Sequence, residues 1–167
     1  MAWCGVGPRL AEVGRPIAVD LRGHGASQWA PDADYATTTH VADLIEVLDS
    51  LGIERASLVG SSWGALVALG FASAHPTRVE RLVLVDIEPS FAQSETDVMA
   101  RPRTFVHLDD VIAFERSRNP NAPAATLARV AAASVRPGPG GLEPWFDPQF
   151  FERWPFRTDD WWDALAT

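Results

Sequence analysis

The sequence predicts an α/β fold, because apolar stretches of strand length alternate with stretches of helix length over its first half. Three runs have the continuous apolar character of buried parallel strands, namely Pro16–Leu21, Ala56–Gly60 and Leu82–Asp86. The chain has 167 residues, 47% of them hydrophobic, which is enough to bury a core. We therefore expect a partial parallel sheet of about three strands that carries helices, followed by a helical region.

The N-terminal segment precedes the first predicted strand. Trp3, Val6 and Leu10 recur at helical spacing, but nearby glycines and Pro8 interrupt the pattern, which predicts only a partial helix. The loop after Leu21 contains Gly23-x-Gly25, as dinucleotide-binding folds do. The third glycine of that motif would fall on Gln28, and no helix pattern begins there, so the dinucleotide alternative is disfavoured.

Two helices flank the second strand. The first begins near Thr37–Thr39, which we expect to cap it, and ends at Gly52; its apolar stripe consists of Val41, Leu44, Ile45, Leu48 and Leu51. The second, Ala65–Ala74, is apolar nearly all round and ends at His75-Pro76. A helix of this kind is typical of burial against a sheet.

The alternating pattern ends at Glu88-Pro89, which predicts a core domain at residues 1–89 and a helical region at 90–167. Helices are expected at Asp109–Arg118 and Ala124–Val135, and no further strand is expected. Residues 145–162 are rich in aromatic side chains: Trp145, Phe146, Phe150, Phe151, Trp154, Phe156, Trp161 and Trp162. They could line a lid over an apolar pocket or pack a helical subdomain, and the sequence leaves both open.

Composition excludes several classes of protein. The net charge of −8 argues against binding to nucleic acid or to an anionic membrane surface. All 14 basic residues are arginine, so a P-loop lysine and a Schiff-base lysine are both excluded. The lone Cys4 can form neither an internal disulfide nor a zinc cluster. We expect no metal and no cofactor, and the absence of a signal-peptide pattern predicts a cytoplasmic location.

The strongest chemical motif is Gly60-Ser61-Ser62-Trp63-Gly64, which joins the second strand to the second helix. This Gly-x-Ser-x-Gly spacing is typical of a serine nucleophile on a sharp strand-to-helix turn, where the positions two residues away on either side must be nearly free of side chains. Ser62 is the predicted nucleophile and Ser61 the less favoured one. The backbone amide of Trp63 is the predicted oxyanion donor. A serine that merely caps the helix is the alternative.

These residues resemble the α/β-hydrolase fold family in its serine-nucleophile, capped form. Asp20–Ser27 resembles the loop after that family's fourth strand, Gly60–Gly64 the nucleophile elbow, and Leu82–Asp86 the sixth strand. The region after Pro89 resembles the helical cap. Relatives with an aspartate nucleophile also have a tryptophan at the position of Trp63. Ser62 instead implies hydrolysis of an ester, a thioester or a carbon–carbon bond through an acyl-enzyme, with a small apolar ester-like substrate.

The resemblance also implies that the chain is truncated at both ends relative to the family. The family's histidine and its usual acid would follow residue 167, and Asp86 is the remaining candidate acid, since some members carry theirs after the sixth strand. Of the histidines present, His24 belongs to a structural loop motif, His40 faces another element, His75 lies at the far end of the helix from Ser62, and His107 precedes a helix.

Two functions therefore remain open. One is a serine hydrolase that is impaired in this chain. The other is a non-catalytic remnant or a module that depends on a partner. The predicted strands would leave open sheet edges, which predicts self-association or binding of another chain there.

Overall fold

The structure is a computed structural model, and it describes residues 3, 5–87, 89, 102–153 and 160–165. Of residues 151–153 it describes the backbone only. Glu88 and Cys4 lie outside the described residues, as do Trp154 and Phe156. The chain forms two compact units, each built from two segments. The first unit comprises Met1–Ser27 and Met99–Pro148, and the second comprises Gln28–Val98 and Gln149–Thr167. The domain boundary at residue 89 stays a prediction.

The second unit contains the α/β core. Helix α2 (Thr37–Ser50) leads to strand β1 (Ala56–Ser61), helix α3 (Trp63–Ala74) and strand β2 (Val79–Val85). The two strands are parallel, in a register that pairs Ser61 with Val85 at their carboxyl ends. Helix α3 packs against both strands, and α2 packs against α3. This arrangement confirms the predicted α/β class.

Helix α3 owes its position to its sequence. Seven consecutive residues, Ala65–Phe71, are buried, as the all-apolar pattern predicts. Gly70 permits close packing, because a Cβ there would lie 3.1 Å from the ring of Trp161 and 3.3 Å from the side chain of Val41. The C-terminal segment therefore packs against the same helix that carries the Gly-x-Ser-x-Gly motif at its start.

The start of α2 differs from the prediction. Thr37–Thr39 lie inside the helix and do not cap it, and the N-cap residue is Ala36. The carboxylate of Asp34 accepts hydrogen bonds from the amide of Ala36 at 3.1 Å and from the hydroxyl of Thr39 at 2.8 Å. Asp34, which lies before the helix, thus organises its first turn, the role that we had expected of the threonines.

The predicted strand Pro16–Leu21 is wrong as an element, because these residues form no strand in the structure. Ile17 and Val19 are 44% and 37% exposed. A strand requires a neighbour that pairs with its backbone, and an apolar sequence alone does not supply one. The sheet of the core therefore has two strands among the described residues where about three were predicted.

The first unit combines helices, loops and a two-stranded hairpin. It contains the single turn α1 (Gly7–Leu10), helix α4 (Leu108–Arg118) and helix α5 (Ala124–Ser134), in agreement with the three predicted helical segments. Its core is formed by Phe105, Val111, Ala131 and Val135.

The absence of strands after residue 89 is a second wrong prediction. Strands β3 (Val135–Gly138) and β4 (Gly141–Pro144) form an antiparallel hairpin. The run Pro137-Gly-Pro-Gly-Gly141 forms the turn of this hairpin and parts of both its strands. Proline is tolerated here because a two-stranded hairpin consists of edge strands. Helix α6 (Pro148–Arg153) follows, and no helix among the described residues is long and apolar enough to cross a membrane.

Arg78 ties the end of α2 to the start of β2. Its Nε donates to the carbonyl of Glu54 at 2.6 Å, and its Nη2 lies 2.6 Å from Asp49 Oδ1 and 3.0 Å from the carbonyl of Ile53. We expect Arg78→Ala to lower the free energy of unfolding by about 2 kcal/mol, mostly through the lost bonds to the carbonyls, because an exposed ion pair contributes little.

Urea denaturation measures this loss, and Arg81→Ala is the matched control. Arg81 is an exposed arginine in β2, three residues after Arg78, and it has no side-chain partner among the described residues. Arg78→Lys should recover only part of the loss, because an ammonium cannot reproduce the planar fork that reaches three acceptors. Equal stability of the Arg78→Ala and Arg81→Ala variants would contradict a stabilising role for the Arg78 hydrogen bonds.

Candidate active site

Ser62 occupies a strained turn between β1 and α3. Its φ is 50° and its ψ is −130°, a conformation that residues with a side chain rarely adopt. Its amide donates to the carbonyl of Val85 at 2.9 Å, and its carbonyl accepts from the amide of Ala65 at 2.8 Å. The residue is exposed. The turn therefore presents the Ser62 hydroxyl to solvent at the carboxyl edge of the parallel strands.

The two glycines of the motif differ in their roles. A Cβ on Gly60 would collide with the carbonyl oxygen of Gly64 and would lie 2.5 Å from the Cα of Ala65. A Cβ on Gly64 would meet nothing within 4 Å among the described residues. Close packing thus requires glycine at position 60 only, and the prediction that both positions must lack a side chain is wrong for Gly64. The two positions differ because a side chain on Gly60 would point at the backbone of Gly64 and Ala65, whereas a side chain on Gly64 would not point back at Gly60.

Trp63 is the first residue of α3, and the first amides of a helix have no acceptor within it. That position suits the predicted oxyanion donor. The indole points into the core, where its ring centroid lies 4.6 Å from that of Phe150 and 4.1 Å from that of His40. The backbone of Trp63 therefore belongs to the serine turn, while its side chain belongs to the core of the unit.

Asp86 follows β2 directly and is exposed, with a φ of 55°. Val85 immediately precedes Asp86, and its carbonyl accepts a hydrogen bond from the amide of Ser62. Ser62 and Asp86 therefore lie on adjacent strand ends. The structure thus brings Ser62, Trp63 and Asp86 to one edge of the sheet.

The histidines of this unit do not pair with Ser62. His75 is the C-cap of α3, at the end of the helix away from Ser62, as predicted. Within the described residues of the unit, the Ser62 hydroxyl has no hydrogen-bond partner. Ser62 and Asp86 therefore lie on adjacent strand ends, and no imidazole among the described residues of the unit is bonded to the Ser62 hydroxyl.

The expectation that His40 faces an unrelated element is wrong. Its side chain is fully buried, and its Nδ1 donates to the carbonyl of Ala36 at 2.9 Å while the ring packs edge-on against Trp63. The sequence could have predicted this burial, because His40 lies one helical turn before Leu44 on the apolar stripe of α2. Nothing in the spacing indicated contact with the nucleophile turn.

The aromatic C-terminal region contributes to the same core. Phe150 is 2% exposed and packs with Tyr35 and Leu66, and Trp161 packs against this cluster. These two residues fit the packing interpretation. Trp162 is 56% exposed and Trp145 is 38% exposed.

His24 lies in the other unit, in a loop that is bonded to the segment before α6. The amide of Gly25 donates to the carbonyl of Trp145 at 2.9 Å, and the amide of Asp147 donates to the carbonyl of Gly23 at 2.7 Å. Burial lowers the pKa of His24, although the Arg22 carbonyl and the carboxylates of Asp20 and Asp147 oppose the shift. A neutral, partly buried His24 fits the predicted structural role.

This shift predicts a loss of stability in mild acid. Below the unfolded-state pKa of 6.5, the unfolded chain binds a proton that the folded chain resists, so the free energy of unfolding falls as the pH falls toward the lowered pKa. The slope can reach at most about 1.4 kcal/mol per pH unit. Urea denaturation of the wild type and of His24→Gln between pH 5 and 7 isolates this effect, since all other groups are shared. Parallel pH profiles would contradict it.

No group of histidine, cysteine and acidic side chains among the described residues is arranged to hold a metal ion. At the sheet edge, Ser62 provides a hydroxyl, Trp63 a backbone amide and Asp86 a carboxylate. Such a set can form an ester on the serine and stabilise an oxyanion, provided that a base removes the hydroxyl proton.

Comparisons with known proteins agree with this geometry. Residues 1–129 match the family model described as the alpha/beta hydrolase fold. The chain is 34% identical over 183 residues to a 2-hydroxymuconate semialdehyde hydrolase of Pseudomonas sp. strain CF600. This alignment covers 99% of this chain and 57% of that protein. It is also 39% identical over 100 residues to an esterase of Mycobacterium tuberculosis, which covers 59% of this chain and 34% of the relative.

Among solved structures, the crystal structure of E-2-(acetamidomethylene)succinate hydrolase superposes with a TM-score of 0.80 at 28% identity, over 94% of this chain and 62% of that one. The chain thus spans 57% of the first relative and 62% of this structure. The family model includes β1, the turn at Ser62, α3, β2 and α4. The chain belongs to the α/β-hydrolase fold family.

Proposed function

We propose that this chain carries the nucleophile of a serine hydrolase, which cleaves an ester, a thioester or a carbon–carbon bond through an acyl-enzyme on Ser62. The observation that carries the proposal is the turn at Ser62, where an exposed hydroxyl is held at a φ of 50° between a parallel strand and a helix. A strained conformation of this kind persists only where the surroundings enforce it, and it is concentrated at functional sites. The relatives are named as hydrolases and an esterase, which supports the same chemistry.

The proposed roles are consistent with the geometry of the turn. Ser62 attacks a carbonyl carbon, and its proton passes to a base as the new carbon–oxygen bond forms. The carbonyl oxygen becomes an oxyanion, which the Trp63 amide at the start of α3 stabilises. Asp86, at the adjacent strand end, is the acid that would orient an imidazole. The expected substrate is small and apolar.

We further propose that the reaction is impaired in the isolated chain. The hydroxyl of serine is a weak nucleophile unless a base takes its proton, and the described residues of the unit provide no imidazole bonded to it. Ser62 should consequently turn over esters poorly and react with strong electrophiles only slowly.

The test is covalent labelling with a fluorophosphonate, followed by mass spectrometry of the peptide that carries the adduct. We expect the adduct on Ser62 and its absence in Ser62→Ala. Ser61→Ala is the matched control, because Ser61 is the neighbouring hydroxyl at the end of β1, and it should label like the wild type. An adduct on Ser61, or none under prolonged exposure, would refute the assignment of the nucleophile.

A second candidate function is a partner-dependent module without catalysis. It is favoured by Val59, Val83 and Val85, which are 38%, 48% and 42% exposed on the two strands of the core. Neighbouring apolar side chains on an open sheet mark surfaces that another chain can cover. Sedimentation of the purified chain over a concentration series tests this candidate, and a monomer at all concentrations would argue against self-association.

A further inference from the structure

We propose that His40 is a positioning residue for the nucleophile turn: its ring holds the indole of Trp63, and so keeps the Ser62–Trp63 peptide in the geometry that the oxyanion requires. This inference rests on the proposed function of Ser62. His40 acts through Trp63.

The first step is the placement of His40 itself. Its side chain is 0% exposed, and its Nδ1 lies 2.9 Å from the carbonyl of Ala36. A carbonyl can only accept, so Nδ1 carries the hydrogen and the ring orientation is set by its own helix. The imidazole is therefore a fixed part of α2 that faces the core.

The second step is the contact with Trp63. The two ring centroids are 4.1 Å apart with an interplanar angle of 85°, an edge-to-face arrangement. Phe150, from the C-terminal segment, also contacts the indole, with centroids 4.6 Å apart. Two elements distant in sequence thus hold the same side chain, and each ring contact of this kind has a defined geometry.

The third step connects the indole to the chemistry. The Ser62 carbonyl and the Trp63 amide belong to one planar peptide, and the hydrogen bond from the Ala65 amide to that carbonyl holds its Ser62 side. The other side of the peptide is held at the Trp63 Cα. The Trp63 amide is the proposed oxyanion donor, and its plane depends on where the Trp63 Cα lies. Because the indole is packed against His40 and Phe150, the Cα has little freedom, and the amide direction follows.

The test compares three variants of the full chain: His40→Ala, His40→Phe and Leu48→Ala. Phenylalanine keeps a ring for the edge-to-face contact. Leu48 lies on the same helix and is 6% exposed, so its truncation is a matched loss of core packing. We expect His40→Ala to lower the rate of fluorophosphonate addition to Ser62 about tenfold, since small misplacements of catalytic groups are costly. His40→Phe should stay within about threefold of the wild type, and Leu48→Ala should label at the wild-type rate.

The amide NMR signals of Ser62 and Trp63, assigned with Trp63→Phe, give a readout that does not depend on reactivity. They should shift in His40→Ala and keep their positions in Leu48→Ala. If Ser62 takes no adduct in the wild type, the proposed function fails, while the amide signals still decide whether His40 holds the turn. Wild-type labelling and unshifted amides in His40→Ala would overturn the inference, as would equal effects in His40→Ala and Leu48→Ala.

Discussion

Turnover of an activated ester such as p-nitrophenyl acetate by the purified chain is expected to be on the order of a million-fold below that of a hydrolase with a complete triad. Loss of the base from a serine triad leaves only what binding and the oxyanion hole contribute. In the unit that carries Ser62, the described residues include no imidazole bonded to its hydroxyl. Stopped-flow and steady-state assays of the wild type measure this turnover, and the same assays of Ser62→Ala give the background rate of ester hydrolysis.

Added imidazole provides the sharper version of this experiment. If lack of a base beside Ser62 limits the rate, free imidazole should accelerate ester hydrolysis by the wild type. Ser62→Ala should then show only the background reaction of imidazole with the ester. A fast reaction without imidazole would contradict the expectation. In that event His24→Asn and His107→Asn would identify whether either histidine serves as the base.

Gly60→Ala is expected to destabilise the fold by about 3 kcal/mol and to abolish labelling of Ser62. The new Cβ would lie 2.5 Å from the Cα and 2.7 Å from the amide nitrogen of Ala65, both of them backbone atoms in the first turn of α3. Overpacking against flexible side chains is relieved by rotation, whereas here the start of the helix must shift. Urea denaturation and the fluorophosphonate assay measure the two effects.

Gly64→Ala is the matched control from the same motif. Its Cβ would meet nothing within 4 Å in the described part of the chain, and alanine favours helix over glycine by about 0.5 to 1 kcal/mol. We expect the Gly64 variant to be as stable as the wild type or slightly more stable. Similar losses in the two alanine variants would show that the turn tolerates or rejects both side chains alike, which contradicts the one-sided crowding.

Much of the core was predictable because its signals are local. The apolar run of β1, the Gly-x-Ser-x-Gly turn and the all-apolar helix α3 follow one another within twenty residues, and the observed bounds differ from the predicted ones by at most two residues. Helices α4 and α5 were predicted for the same reason, from their periodicity and flanking residues. In these stretches, local preference and tertiary burial favour the same conformation.

The candidate site was predictable to a smaller extent. Ser62 and Trp63 were identified from five contiguous residues, and their backbone positions are as expected. His40 was dismissed, although it packs against Trp63, because it precedes that residue by more than twenty positions and no pattern in the sequence relates the two. The difference between Gly60 and Gly64 also depended on the three-dimensional path of the chain.

The sequence by itself determined the order of strand, serine turn and helix, the family resemblance, and the exclusion of lysine chemistry and of disulfides, since these depend only on which residues are present and on their spacing. The tertiary structure alone decided that Pro16–Leu21 forms no strand, that Val135–Pro144 forms a hairpin, and that His40 and Phe150 share contact with Trp63. The physical reason is that a strand and a side-chain contact each need a second partner. A run of residues encodes its own burial and backbone preference, but the partner is supplied by the fold.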